Sequence, residues 1–128
     1  GDWSSDVCSS DLGGDSPGPA ELLLTAFSAC ALKNIERFSE MLPFDYEEAK
    51  IKVEGERQDK PPKFTDIRYR IEVVSDEPDD RVDLLHKNIR KYGTITNTLA
   101  EACNLQGELV KVDAIDSPSS SVNSKPGQ

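Results

Sequence analysis

A chain of 128 residues with 24 acids against 15 bases and a net charge of -9 fits one domain, and no Lys/Arg run exceeds two residues, which argues against a nucleic-acid partner. The longest uncharged apolar stretch, Leu22 to Leu32, is well short of the ~20 residues that a membrane-spanning helix needs. Three cysteines with no C-x-x-C spacing neither close a disulfide framework nor resemble a zinc site, so a reducing, cytoplasmic setting and no metal are expected.

Residues 1–12 (GDWSSDVCSSDL) are polar and without period, and their back-translation reads like a sequencing adaptor joined to a gene fragment. They are set aside as artefactual, Cys8 with them, and a domain that has lost its own N-terminus is expected over 13–114. The cluster GGDSPGP ends at Pro19, where a missing N–H at the first helical position is harmless. From Glu21 to Leu42, the residues Leu24, Phe27, Ala31, Ile35, Phe38 and Leu42 recur at helical spacing, and Pro43 stops the run. Its first half is apolar on nearly every face, which predicts a central helix.

Ala49 to Gly55 and Ile67 to Val73 alternate apolar with charged residues, which predicts strands with one wet face. Pro61-Pro62 between them predicts a stiff loop over 56–65. After Pro78, acids at the start and bases at the end mark a second helix, interrupted by Gly93. A short helix from Thr94 to about Cys103 and a closing strand from Glu108 to Val112 follow. Residues 115–128 hold too little apolar surface to order and are expected to be a disordered tail. The expected fold class is α+β, an antiparallel sheet packed on a long central helix plus a second helical segment.

Candidates for chemistry are few. His86, the only histidine, reads as a solvated surface residue, and Cys103 as a small buried hydrophobe at the end of a helical turn. No phosphate loop and no nucleophile elbow is present. Cys30 lies between Ala29 and Ala31 in the apolar helix, where an inert packed thiol and a reactive one are both open readings.

The string from Ser16 to Cys30 (SPGPAELLLTAFSAC) resembles the OsmC/Ohr family of thiol-dependent hydroperoxide reductases. The strand IKVEGER at 51–57, Pro61-Pro62 with Phe64, the strand 67–73 and the helix ending Lys91-Tyr92 carry the resemblance on, so that it covers 13–112. It implies reduction of organic hydroperoxides in oxidative-stress defence, with Cys30 as the peroxidatic nucleophile and no cofactor. It also implies a homodimer and an external thiol or dithiol reductant. Leu23, Phe27 and Tyr92 are the candidate substrate pocket. The family's resolving cysteine would fall at Gly93, so this chain has none there, and its activating arginine belongs to N-terminal strands, which the resemblance implies the segment 1–12 has replaced, so that the domain over 13–114 is expected to lack them. Glu21 is a further candidate, one residue off the family's acidic position, which here is Ala20; it also suits the helix dipole. The alternative expectation is a non-catalytic dimeric binding or structural protein that keeps the fold without the redox pair.

Overall fold

The computed structural model describes residues 18–115 and 121–123. The first helix, α1 (Pro19–Met41), begins where expected: Pro19 occupies the first turn, and the Glu21 carboxylate accepts the Gly18 backbone N–H at 3.3 Å. Leu24, Phe27, Ala31, Ile35 and Phe38 form its buried face.

Two strands follow, β1 (Glu48–Asp59) and β2 (Pro62–Val74), paired antiparallel from Glu48↔Val74 to Asp59↔Pro62 with an irregularity at Glu56/Arg57. The stiff loop expected over 56–65 is therefore a tight hairpin with Lys60 and Pro61 at its tip, joined by a cis peptide bond. The prolines do not prevent it, because Pro62 is the first strand residue, where a missing N–H is tolerated. Gln58 Nε2 donates to the carbonyls of Lys60 and Pro61 and so satisfies the turn.

Two helices come next, α2 (Asp79–Tyr92) and α3 (Thr94–Ala102), then β3 (Asn104–Val112). The helical crossover returns the chain to the end of the sheet where β2 began, so β3 lies parallel to β2, with Ile67 beside Leu105 and Ile71 beside Leu109. A short strand, β4 (Ser121–Asn123), pairs parallel with Lys52–Glu54 of β1, giving the order β3-β2-β1-β4. The sheet is thus mixed rather than antiparallel. Within the expected disordered tail, 121–123 form this strand: the open edge of β1 offers unpaired backbone groups that a short polar segment satisfies. Residues 1–12 and the remaining tail positions 116–120 and 124–128 lie outside the described residues.

One face of the sheet, carrying Ile51, Val53, Ile67, Tyr69, Ile71, Val73, Leu105 and Leu109, packs against the three helices in a single core. The opposite face is charged, with the Arg68–Glu56 pair at 2.9 Å and Arg70 between Glu72 and Glu108. Such exposed pairs add little stability individually. Tyr69 is the one polar-tipped ring in the inward row of β2. Its ring lies over Gly107, which it faces across the β2–β3 ladder, and a Cβ at that glycine would come within 2.4 Å of the ring. Gly107→Ala is expected to displace Tyr69 and to destabilise the fold by about 1–3 kcal/mol, measured as a lower urea midpoint with unchanged slope.

Candidate functional site

The period of α1 decides what Cys30 meets. Ala31 points straight into the core and is fully buried, and a step of about 100° places the preceding side chain on the flank of that face. Cys30 is accordingly half-buried, a free thiol with part of its surface in solvent. One turn on, Asn34 lies on the same flank, 9% exposed, and its Nδ2 donates to Cys30 Sγ at 3.5 Å.

Of the other expected site residues, Leu23 shares this flank two turns earlier and is 38% exposed. Phe27 is a core residue: it is 1% exposed and its ring is tilted against Tyr69 with centroids 5.3 Å apart. Tyr92 stacks on Phe38 at 5.6 Å with Lys91 over its ring, and Phe38 is about 12 Å along the helix from Cys30. Leu23 thus shares a flank with Cys30 at about 10 Å along the helix, Phe27 lies one turn from Cys30 but is turned into the core, and Tyr92 sits against Phe38. Glu21 is occupied with the Gly18 N–H, about 13 Å along α1 from Cys30; the contact it makes is a helix cap.

The position expected to lack a resolving cysteine is closed as well as empty of sulfur. Gly93 is buried between α2 and α3, and a Cβ there would meet Thr96 Oγ1 at 2.7 Å and the Ile89 carbonyl at 3.0 Å. Cys103 packs against the core, with its Sγ donating to the Leu99 carbonyl at 3.3 Å. Burial, and then the Asp66 carboxylate, push its thiol up from the ordinary value, which disfavours the nucleophilic thiolate.

With this geometry in place, a family model described as OsmC-like protein matches residues 12–108. The chain belongs to the OsmC-like family. Its fold is similar to that of an OsmC-like protein from Mycoplasma pneumoniae, at 18% identity and a TM-score of 0.73, covering 77% of this chain and 74% of the other. It is similar too to an organic hydroperoxide resistance protein OsmC, a predicted redox protein from Legionella pneumophila, at 16% identity, TM-score 0.62 and coverage of 85% and 72%. The organic hydroperoxide resistance protein OhrB of Bacillus subtilis matches at 14% identity, TM-score 0.57 and coverage of 78% and 73%. No curated protein matches the chain. Among the described residues of this OsmC-like chain no group of three or more His, Cys, Asp or Glu side chains is placed to hold a metal, and no helix is long and apolar enough to cross a membrane.

A cluster that the sequence does not announce joins β2 to α2. His86 is not a solvated surface residue: it is partly buried, with Nε2 2.6 Å from Tyr69 Oη and the two rings edge-on. Arg90 Nη1 donates to the same hydroxyl at 3.5 Å, with its guanidinium over the Tyr69 ring. Burial, followed by the Arg90 charge, pushes His86 below its ordinary value, against a smaller opposing pull from Asp83. Tyr69 is pushed up by burial, which the bond from Arg90 partly opposes. The signals were a tyrosine in an aliphatic inward row, whose hydroxyl needs a partner, and a glycine across the ladder from it.

A depressed histidine is a stability term with a definite sign: the unfolded chain takes up the proton first, so stability is complete above about pH 6.5 and falls on acidification until the folded-state value is passed. Urea midpoints across the mildly acidic range are expected to fall as pH is lowered, and His86→Gln is expected to flatten that slope.

Proposed function

We propose that the protein is a thiol-dependent peroxidase that reduces organic hydroperoxides, with Cys30 as its nucleophile and a role in oxidative-stress defence. The observation that carries this is the position of Cys30, a free and partly exposed thiol on the central helix of an OsmC-like chain. The ionised sulfur attacks the outer oxygen of R–O–O–H; the O–O bond breaks, the alcohol leaves with a proton, and sulfur is oxidised by two electrons to a sulfenic acid. An external thiol then condenses with it, releasing water and forming a mixed disulfide, and a second thiol attacks the external sulfur of that bond, releasing Cys30 as a thiol; the two external thiols have supplied the electron pair and leave joined as a disulfide. An external reductant is supported by Gly93, which has no room for a side chain without movement of Thr96, and by Cys103, whose Sγ donates to the Leu99 carbonyl. A small dithiol fits this need, and a reducing cytoplasm supplies the setting.

Leu23 lies two turns from Cys30 on the same flank of α1 and gives an alkyl chain an apolar surface there. We assign the working form as a homodimer. The exposed apolar side chains Leu23, Met41, Leu84 and Tyr92 support that assignment, because covering them excludes water from surface that a monomer leaves wet. A second reading, a dimeric binding or structural protein of the same fold, is favoured by the closed environment of Gly93 alone.

Treatment with cumene hydroperoxide is expected to leave a trappable sulfenic acid on Cys30, and Cys30→Ser is expected to abolish peroxide consumption in the presence of dithiol. Peroxide consumption that survives Cys30→Ser, or the absence of any adduct on Cys30, removes the peroxidase reading in favour of the second.

A further inference from the structure

The helices dock on the sheet by different means. Whereas α1 does so chiefly through apolar side chains, α2 adds to its buried Val82, Leu85 and Ile89 a polar contact with β2, in which His86 Nε2 lies 2.6 Å from Tyr69 Oη and Arg90 Nη1 3.5 Å from the same oxygen. His86 and Arg90 are one turn apart, so they reach Tyr69 from successive turns of one face. The start of α2 is fastened separately: Arg81 donates to the Leu42 carbonyl at the end of α1, and Asp79 pairs with Lys111 of β3 at 3.2 Å. Beside the apolar contacts of Ile89 and Tyr92, the Tyr69 contact is what holds the second half of the helix. A neutral imidazole suits this place and an imidazolium does not. A proton on His86 sets a second cation beside Arg90, with one phenol oxygen between them. Among the described residues the other elements supply no counter-charge: β2 presents the Tyr69 hydroxyl, β3 has Gly107 across the ladder from Tyr69, α1 has Phe27 against its ring, and the buried residues of α3 are Thr96 and Leu99. Lys111 is engaged with Asp79, and Glu108 with Arg70 on the outer face. Burial and then Arg90 push His86 below its ordinary value, and Asp83, one turn back on α2 and exposed, opposes them by less. Release of the helix relieves both effects, because water then solvates the imidazolium and screens it from the guanidinium.

We propose that the Tyr69–His86–Arg90 cluster is an acid-operated latch: with His86 neutral it fastens α2 to β2, and with His86 protonated α2 opens from the sheet while α1 and the β1–β2 hairpin stay folded. The inference goes beyond the peroxidase reading and does not rest on it. One proton raises the open population by at most about tenfold for each pH unit, and only below about pH 6.5, where a solvated histidine begins to charge. In acid, α2 opens more often without leaving the fold for good.

The test is native-state hydrogen exchange on the full chain from about pH 8 to about pH 5, the span over which histidine changes charge, corrected for the intrinsic rate at each pH. The imidazole signal of the chain's one histidine is followed by NMR in the same samples. Amides of α2 are expected to exchange through an opening with a weaker urea dependence than that of the strands, and to lose protection as the His86 signal titrates, by up to about tenfold for each pH unit. His86→Gln keeps a polar side chain that cannot charge and is expected to leave α2 protection flat across the range. Arg90→Gln removes the opposing cation and is expected to shrink the acid response. Should either variant fail to fold, the unsubstituted chain decides alone. Protection in α2 equal to that of the strands, with the same urea dependence at every pH, overturns the inference, because the helix then has no opening of its own. A separate opening whose population does not change with pH overturns it too, whether or not the His86 signal moves, as does a His86→Gln protein with the full acid response.

Discussion

The burial of one face of α1 against the sheet is the constraint on which the rest depends. Leu24, Phe27, Ala31, Ile35 and Phe38 meet the inward residues of β1, β2 and β3, and each fully buried large side chain contributes on the order of 1.5–3 kcal/mol. A helix locked in rotation by that many contacts has no freedom left on its flanks. Cys30 therefore stands beside the core rather than in it, and Asn34 stands over the sulfur, without any loop having to be positioned. A site built on an element so held is stiffer than one built on loops.

The two described thiols show how environment sorts one chemical group into two behaviours. Both are partly buried. Cys103 donates its own S–H to a helix carbonyl and is pushed away from ionisation by burial and a nearby carboxylate, so it is packing material. Cys30 receives an N–H instead, the polarity that suits a nucleophile. The Tyr69–His86–Arg90 cluster lies behind Phe27 and belongs to the same scaffold: Gly107 makes room for the tyrosine ring, the ring supports Phe27, and Phe27 lies one turn before Cys30 on α1.

Much of this is legible in the sequence where punctuation is strong. Pro19, Pro43, Pro78 and Gly93 bound the helices to within a residue or two of where they lie, because each changes the backbone locally and needs no partner to do so. The alternation in β1 and β2 likewise shows their wet and dry faces. What depends on a distant partner is hidden. Pairing direction for β3 follows from the crossover, and its opening residues Asn104 to Gly107 carry no strand signature, so the strand is longer than expected from 108–112. Pro61-Pro62 conceals a hairpin whose satisfying group is the side chain of Gln58. His86 looks solvated until Tyr69 is brought beneath it. Cys30 is legible only through a resemblance, and Asn34, four residues on, carries a weak signal as one of two buried polar residues of α1, Ser28 being the other.

The most direct measurement is a competition within the native, unsubstituted protein. A limiting amount of alkylating agent is added at neutral pH, and the fractions modified at Cys30 and Cys103 are read by mass spectrometry before any unfolding. The account predicts that Cys30 is consumed first, with Cys103 reacting only slowly until denaturant is added. Preferential modification of Cys103, or protection of both thiols until the chain unfolds, contradicts it.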